Sequence, residues 1–210
     1  MIDKKFLITS IDEEAGLELT DLKFEEFYLG RSSKKTIQQS SAIFCWGDDD
    51  LKTFKKFYPK NKSKIIKTGS PRVDLWKSTF FNYWGAPNKK PKKPYLLVSS
   101  NMGTSNGINS TSDVIKIFKD LGYLQRNSKL FNEYFELIAE DSIKTSDFVE
   151  AIKHLANENK EYDIVLRPHP IEDIEAWRLY LGNIPNVHVI REGSITAWVN
   201  NAFAVMHNIF

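Results

Sequence analysis

The sequence predicts an α/β protein of the parallel-sheet type, divided into two units that each lack part of a full sheet. Three observations carry this reading. Short runs rich in β-branched and aromatic residues alternate with longer amphipathic runs along most of the chain, separated by clusters of Gly, Ser, Asn and Pro. The alternation breaks once, from Gly85 to Pro94, where three prolines and four lysines fall within ten residues and no apolar periodicity survives. The last strand-like run, Phe203 to Met206, is followed only by His207-Asn208-Ile209-Phe210, with no helix to cover its face.

The first unit is expected over residues 1–84. Lys5 to Ile11 reads as a strand, Asp21 to Leu29 as a helix and Ala42 to Trp46 as a second strand. Asp48 to Tyr58 is a helix with Leu51, Phe54, Phe57 and Tyr58 as its apolar stripe and three acids at its positive end. The strand Lys64 to Thr68 and a helical run from about Val73 to Tyr83 complete the unit. Residues 85–94 are expected to be a semi-extended, solvated linker.

The second unit is expected over residues 95–210. Tyr95 to Ser99 is a strand, Ser100 to Ser112 a polar loop and Asp113 to Leu121 a helix. Helices are expected over Leu130 to Ala139 and Thr145 to Asn159, the latter with Phe148, Ile152 and Leu155 at helical spacing. Then follow strand Asp163 to Leu166, helix Ile174 to Leu181, strand Val187 to Ile190, helix Ile195 to Asn201 and strand Phe203 to Met206. The whole reads as two doubly wound half-domains, and the bare last strand points to a fragment of a longer chain. No internal repeat at a solenoid period is present.

Bulk properties narrow the function. A formal charge of +2 over 210 residues argues against a general nucleic-acid binder. The single Cys45 lies in the apolar run Ala42-Ile43-Phe44-Cys45-Trp46, which excludes a disulfide framework and reads as core filler in a reducing compartment. No apolar run reaches a membrane span and the start lacks a signal-peptide core, so a cytoplasmic protein is expected. The lysine run at 89–93 reads first as a solvated face, with peripheral contact at the inner face of the membrane as the lesser reading.

The residues with most chemistry are Arg167-Pro168-His169-Pro170, at the C-terminal tip of an expected parallel strand, the edge where open α/β sheets bind ligands. A guanidinium fork and an imidazole in a proline-stiffened loop suit an anion. His207 and Asn208 end a neighbouring strand and would face the same crevice. The loop Ser99 to Gly107 follows the first strand of this unit, where phosphate is often cradled, and offers Asn101 and Gly103, although it lacks the GxGxxG spacing. In the first unit Asp12, Glu13 and Glu14 follow a strand; a helix-start acidic cluster competes there with a general base. Asp48-Asp49-Asp50 could hold a divalent ion, but helix capping is favoured and no metal is expected. Trp76, Trp84, Trp177 and Trp198 read as packing residues.

Several of these segments resemble those of bacterial surface carbohydrate biosynthesis proteins. Asp12-Glu13-Glu14-Ala15-Gly16 is similar to their DEEG segment, Trp46-Gly47 to their WG, and Thr68-Gly69-Ser70-Pro71-Arg72-Val73-Asp74-Leu75 to their TGNPRxDLL. RPHP with Glu172 and Trp177 is similar to their RPHPxE segment, and His207-Asn208 to the start of HNxST. The resemblance runs in order over nearly the whole chain. It implies a GT-B-like glycosyltransferase architecture of two Rossmann-like domains, the first on the acceptor side and the second on the nucleotide-donor side.

That resemblance implies transfer of a sugar or related group from a nucleotide-activated sugar donor to a saccharide or lipid-linked acceptor. Negative charge develops on the leaving phosphate, so Arg167, His169, His207, Asn208 and Asn101 are expected to bind it, with Glu13 or Glu14 as base and no further cofactor. Two alternatives stand beside it: a sugar-nucleotide epimerase of the same fold, and a truncated, non-catalytic sugar-nucleotide-binding module.

Overall fold

The computed structural model describes residues 6–13, 29 and 31–208, with the backbone alone at 126. By contact the chain falls into two units, residues 1–81 and 82–210.

In the first unit, β1 (Thr9–Ile11), β2 (Ala42–Cys45) and β3 (Ile65–Lys67) form a parallel sheet in sequential order. Helix α1 (Lys34–Gln39) starts on Ser33, whose hydroxyl accepts the Thr36 N–H, and α2 (Asp48–Phe57) leads through a 3-10 turn (Pro59–Lys64) into β3. Period-two alternation sends Ile43 and Cys45 inward, where they meet Ile37, Phe54 and Ile65. Burial pushes the Cys45 thiol up to about 12, the state of an inert core residue. Lys5, Glu14 and all of the helix expected at 21–29 except Leu29 lie outside the described residues.

The helical run expected from Val73 to Tyr83 is instead a single turn, α3 (Pro71–Asp74), and a 3-10 segment (Ser78–Tyr83). Ser70 caps α3 by accepting the Val73 N–H, and Pro71 suits its first turn. Neither segment buries a residue, so no core contact draws them into one helix.

The second unit holds a four-stranded parallel sheet in the order β6 (Val187–Val189), β5 (Asp163–Arg167), β4 (Tyr95–Ser99), β7 (Ala204–His207). All five residues of β5 are buried, as a central strand covered on both faces requires. On one face Val98, Ile164 and Leu166 pack with Val149, Ile152 and Ala156 of α6 (Leu130–Glu158) and Trp177 of α7 (Ile174–Leu181). On the other, Tyr95, Leu97 and Val165 meet Trp198 of α8 (Ile195–Asn201), whose carbonyl accepts the Tyr95 hydroxyl at 2.7 Å. Helices α4 (Thr111–Asp120) and α5 (Tyr123–Arg126) precede α6.

Two expectations change here. The helices expected at 130–139 and 145–159 are one helix of 29 residues. Glu140-Asp141-Ser142-Ile143 has neither Gly nor Pro, and its polar groups are absorbed: Ser142 Oγ donates to the Ile138 carbonyl and Thr145 Oγ1 to that of Asp141. The segment 85–94 is bound to the second unit. Lys89 pairs with Glu192 at 2.8 Å, Lys93 Nζ donates to the Lys160 carbonyl at 2.7 Å, and the Pro94 carbonyl accepts the Asp163 N–H at 2.9 Å.

The class is therefore α/β with parallel sheets of three and four strands, compatible with Rossmann-like folds. No helix among the described residues is long and apolar enough to cross a membrane.

Candidate functional site at the switch point of the second sheet

From β4 the chain moves outward through β5 to β6, then returns to the far side of β4 for β7. That reversal is a topological switch point, the place at the carboxyl edge of an open α/β sheet where ligands bind. The register aligns Arg167, Ser99 and His207 in one row across β5, β4 and β7. Adjacent parallel strands lie about 4.8 Å apart, and equal register sends these three side chains to the same face.

The residues singled out from sequence separate into two groups. Asn101, His207 and Asn208 stand together at the switch point: Asn208 Oδ1 accepts the Asn101 N–H at 2.8 Å and Asn208 Nδ2 reaches the Met102 sulfur at 3.1 Å. The side chain of Asn208 thus ties the end of β7 to the loop after β4. His169 is exposed in the loop after β5, and its Nδ1 accepts the Ile171 N–H at 3.3 Å. With Nδ1 an acceptor, the neutral ring carries its proton on Nε2, which can donate to a ligand.

Arg167 departs from the expected phosphate contact. Its guanidinium is buried and donates to three consecutive carbonyls, those of Arg191 at 3.0 Å, Glu192 at 2.6 Å and Gly193 at 2.9 Å, with the Trp198 ring 5.4 Å away. Desolvation pulls its pKa down while the Glu192 carboxylate opposes that fall. The role visible here is to clamp the loop after β6. Gly193, at φ 75°, supplies the left-handed turn this requires. A trans peptide sets each N–H opposite its carbonyl, so the amides of Glu192, Gly193 and Ser194 face away from Arg167. The same three residues line a cavity of about 400 Å³ together with Trp84, Pro87 and Lys89.

Glu172 is the residue that sequence reasoning left without a role. It has no exposed surface, and its carboxylate accepts the Ser100 hydroxyl at 3.0 Å, the His169 N–H at 2.8 Å and the Trp177 indole N–H at 2.6 Å. Arg191 donates to its backbone carbonyl. One buried side chain thus fastens the loop after β4 to the loop after β5, and its backbone receives the loop after β6. The signal it carried was its place in the RPHPxE-like segment, two residues beyond Pro170, which says nothing of a buried carboxylate.

In the first unit Glu13 is exposed at the mouth of a cavity of about 440 Å³, also lined by Asp12, Arg31, Ser32 and Thr36. Asp12 is engaged by Arg31 in a two-pronged pair, at 2.5 and 2.8 Å, and Glu14 lies outside the described residues. Asp50 is buried and accepts the N–H groups of Trp46, Gly47 and Leu51 at 2.7 to 2.9 Å, while Asp48 pairs with Lys67 at 2.8 Å. The acidic triplet therefore starts α2, but its N-cap is Gly47 rather than the expected Asp, and Asp50 reaches back from the third helical position to the amides before the helix. No group of three or more metal-ligating side chains forms among the described residues. No family model matches this chain, and no curated protein matches it.

Proposed function

We propose that the second unit binds the diphosphate of a nucleotide-activated donor at its switch point, and that the protein transfers a sugar or related group from that donor in cell-surface polysaccharide synthesis. The observation that carries the reading is the convergence of Asn101, His207 and Asn208 at the carboxyl ends of β4 and β7, with His169 exposed on the loop after β5. The imidazoles of His169 and His207 are donors suited to a leaving phosphate, while the amides of Asn101, Thr104 and Ser105 are held by Asn208 and Asp141. Arg167 acts through the loop 191–193 that it clamps. The cavity beside that loop, with its apolar wall and outward amides, takes the rest of the nucleotide on this reading. Glu13 is the candidate base toward an acceptor, and the two units correspond to the donor and acceptor lobes of a GT-B enzyme.

Isothermal titration with a panel of nucleoside mono- and diphosphates tests this. One nucleotide class is expected to bind, and His169→Ala or His207→Ala should each weaken it about tenfold, the effect of losing one charge-assisted contact. Absence of binding across the panel, or binding indifferent to both substitutions, defeats the proposal. Product analysis with and without acceptor separates group transfer from epimerisation.

A further inference from the structure

The donor reading leaves the base unnamed, and the cavity beside the loop after β6 bears on that choice. Its lining comes wholly from the second unit, and about 400 Å³ is room for a nucleoside. The half-buried Trp84 and the buried Pro87 line it from one segment, and Glu192, Gly193 and Ser194 from another. The Lys89–Glu192 ion pair, at 2.8 Å, ties the two segments together. An indole beside a proline ring gives the flat apolar contact that any base can use, so it does not choose among bases.

The choice falls to the backbone of the loop. Arg167 takes the carbonyls of Arg191, Glu192 and Gly193, and it does not itself line the cavity. The Trp198 indole N–H also goes to the Glu192 carbonyl, at 2.9 Å. What the loop has left are the N–H groups of Glu192, Gly193 and Ser194, which find no acceptor among the described residues. An ordinary peptide segment offers a base both donors and acceptors, whereas this one offers donors.

A run of donors asks for an edge with adjacent acceptors. Cytosine has one at O2 and N3, and guanine has one at O6 and N7. Uracil interrupts its two carbonyls with the N3 proton, and adenine sets its amino group beside both N1 and N7. Against this loop either of those bases brings N–H to face N–H and leaves a donor unmet.

We infer that this cavity reads the base of the donor, and that it selects cytosine or guanine nucleotides over uracil and adenine ones. The inference rests on the proposed donor binding and adds to it which base is carried. Arg167 is then a positioning residue, since by consuming three carbonyls it fixes the loop as a donor surface.

Isothermal titration of the full chain with CDP, GDP, UDP and ADP tests it. CDP or GDP is expected to bind at least about tenfold tighter than UDP and ADP. Trp84→Ala should weaken the preferred nucleotide about tenfold through lost stacking and leave the order of preference unchanged, while Trp84→Phe, which keeps a ring, should recover most of the affinity. Preference for UDP or ADP, or four equal affinities, overturns the base assignment and leaves the donor reading standing. Affinity indifferent to Trp84→Ala overturns the placement of the base in this cavity. Absence of binding by all four defeats the donor reading and this inference with it.

Discussion

Glu172 shows how one buried side chain can fasten several loops at once. A carboxylate with no exposed surface is tolerable only if its lone pairs are met, and here Ser100, His169 and Trp177 meet them with neutral donors. Removing it orphans two buried donors, the Ser100 hydroxyl and the Trp177 indole, and the partly buried His169 N–H. Each unsatisfied group costs about 1–3 kcal/mol, so Glu172→Ala should lower stability by about 3 kcal/mol or more, read from the urea midpoint by tryptophan fluorescence. Asp in its place retains the charge but withdraws it by one methylene, and should recover only part of that loss. A change below about 1 kcal/mol for Glu172→Ala would mean the three contacts are not the ones that hold the loops.

At the scale of elements, α2 shows where local chemistry decides between two readings. Three acids before an amphipathic run suit either a cation or a helix start, and Asp50 is turned back onto the amides of Trp46 and Gly47. Asp50→Ala should therefore cost about 2 kcal/mol, at the upper end for a cap because more than one amide loses its acceptor. Millimolar Mg²⁺ or Mn²⁺ should leave the unfolding midpoint of the parent chain unmoved; a rise of several degrees would restore the metal reading. The helix start was legible in the sequence because it depends on residues three and four apart. The strands were legible too, since β2, β4 and β5 are short apolar runs between turn residues. What escaped depends on long-range partners. The polar stretch in the middle of α6 looked like a gap, but Asp141 and Thr145 find partners in Thr104 and Ser105, 36 to 40 residues away in the loop after β4. Arg167 looked like a phosphate ligand because its type and strand-end position fit one, whereas its acceptors lie 24 to 26 residues away in a loop that composition does not distinguish. The strand ends that carry Arg167 and His207 were readable; which of their side chains face outward was not.

For the whole molecule, the second unit carries the means of its own stability. Its sheet is covered on both faces, by α6 and α7 against Val98, Ile164 and Leu166 and by Trp198 against Tyr95, Leu97 and Val165. Two fully buried tryptophans, each worth several kcal/mol of burial, sit on opposite faces. The segment 85–94 belongs with this unit through Lys89, Lys93 and Pro94, so a cut in the middle of the lysine run would strip contacts from the sheet. A chain of residues 82–210 is therefore expected to fold alone, with a near-UV signal from Trp177 and Trp198 and a single cooperative urea transition. Starting instead at residue 95 removes the three fastenings and should lower the midpoint by the equivalent of about 1–2 kcal/mol, since exposed pairs contribute little and the Pro94 carbonyl bond most of the remainder. If the 82–210 chain binds dye, lacks a near-UV signal and melts without cooperativity, its core is not self-sufficient and the division at residue 81 does not mark a folding unit.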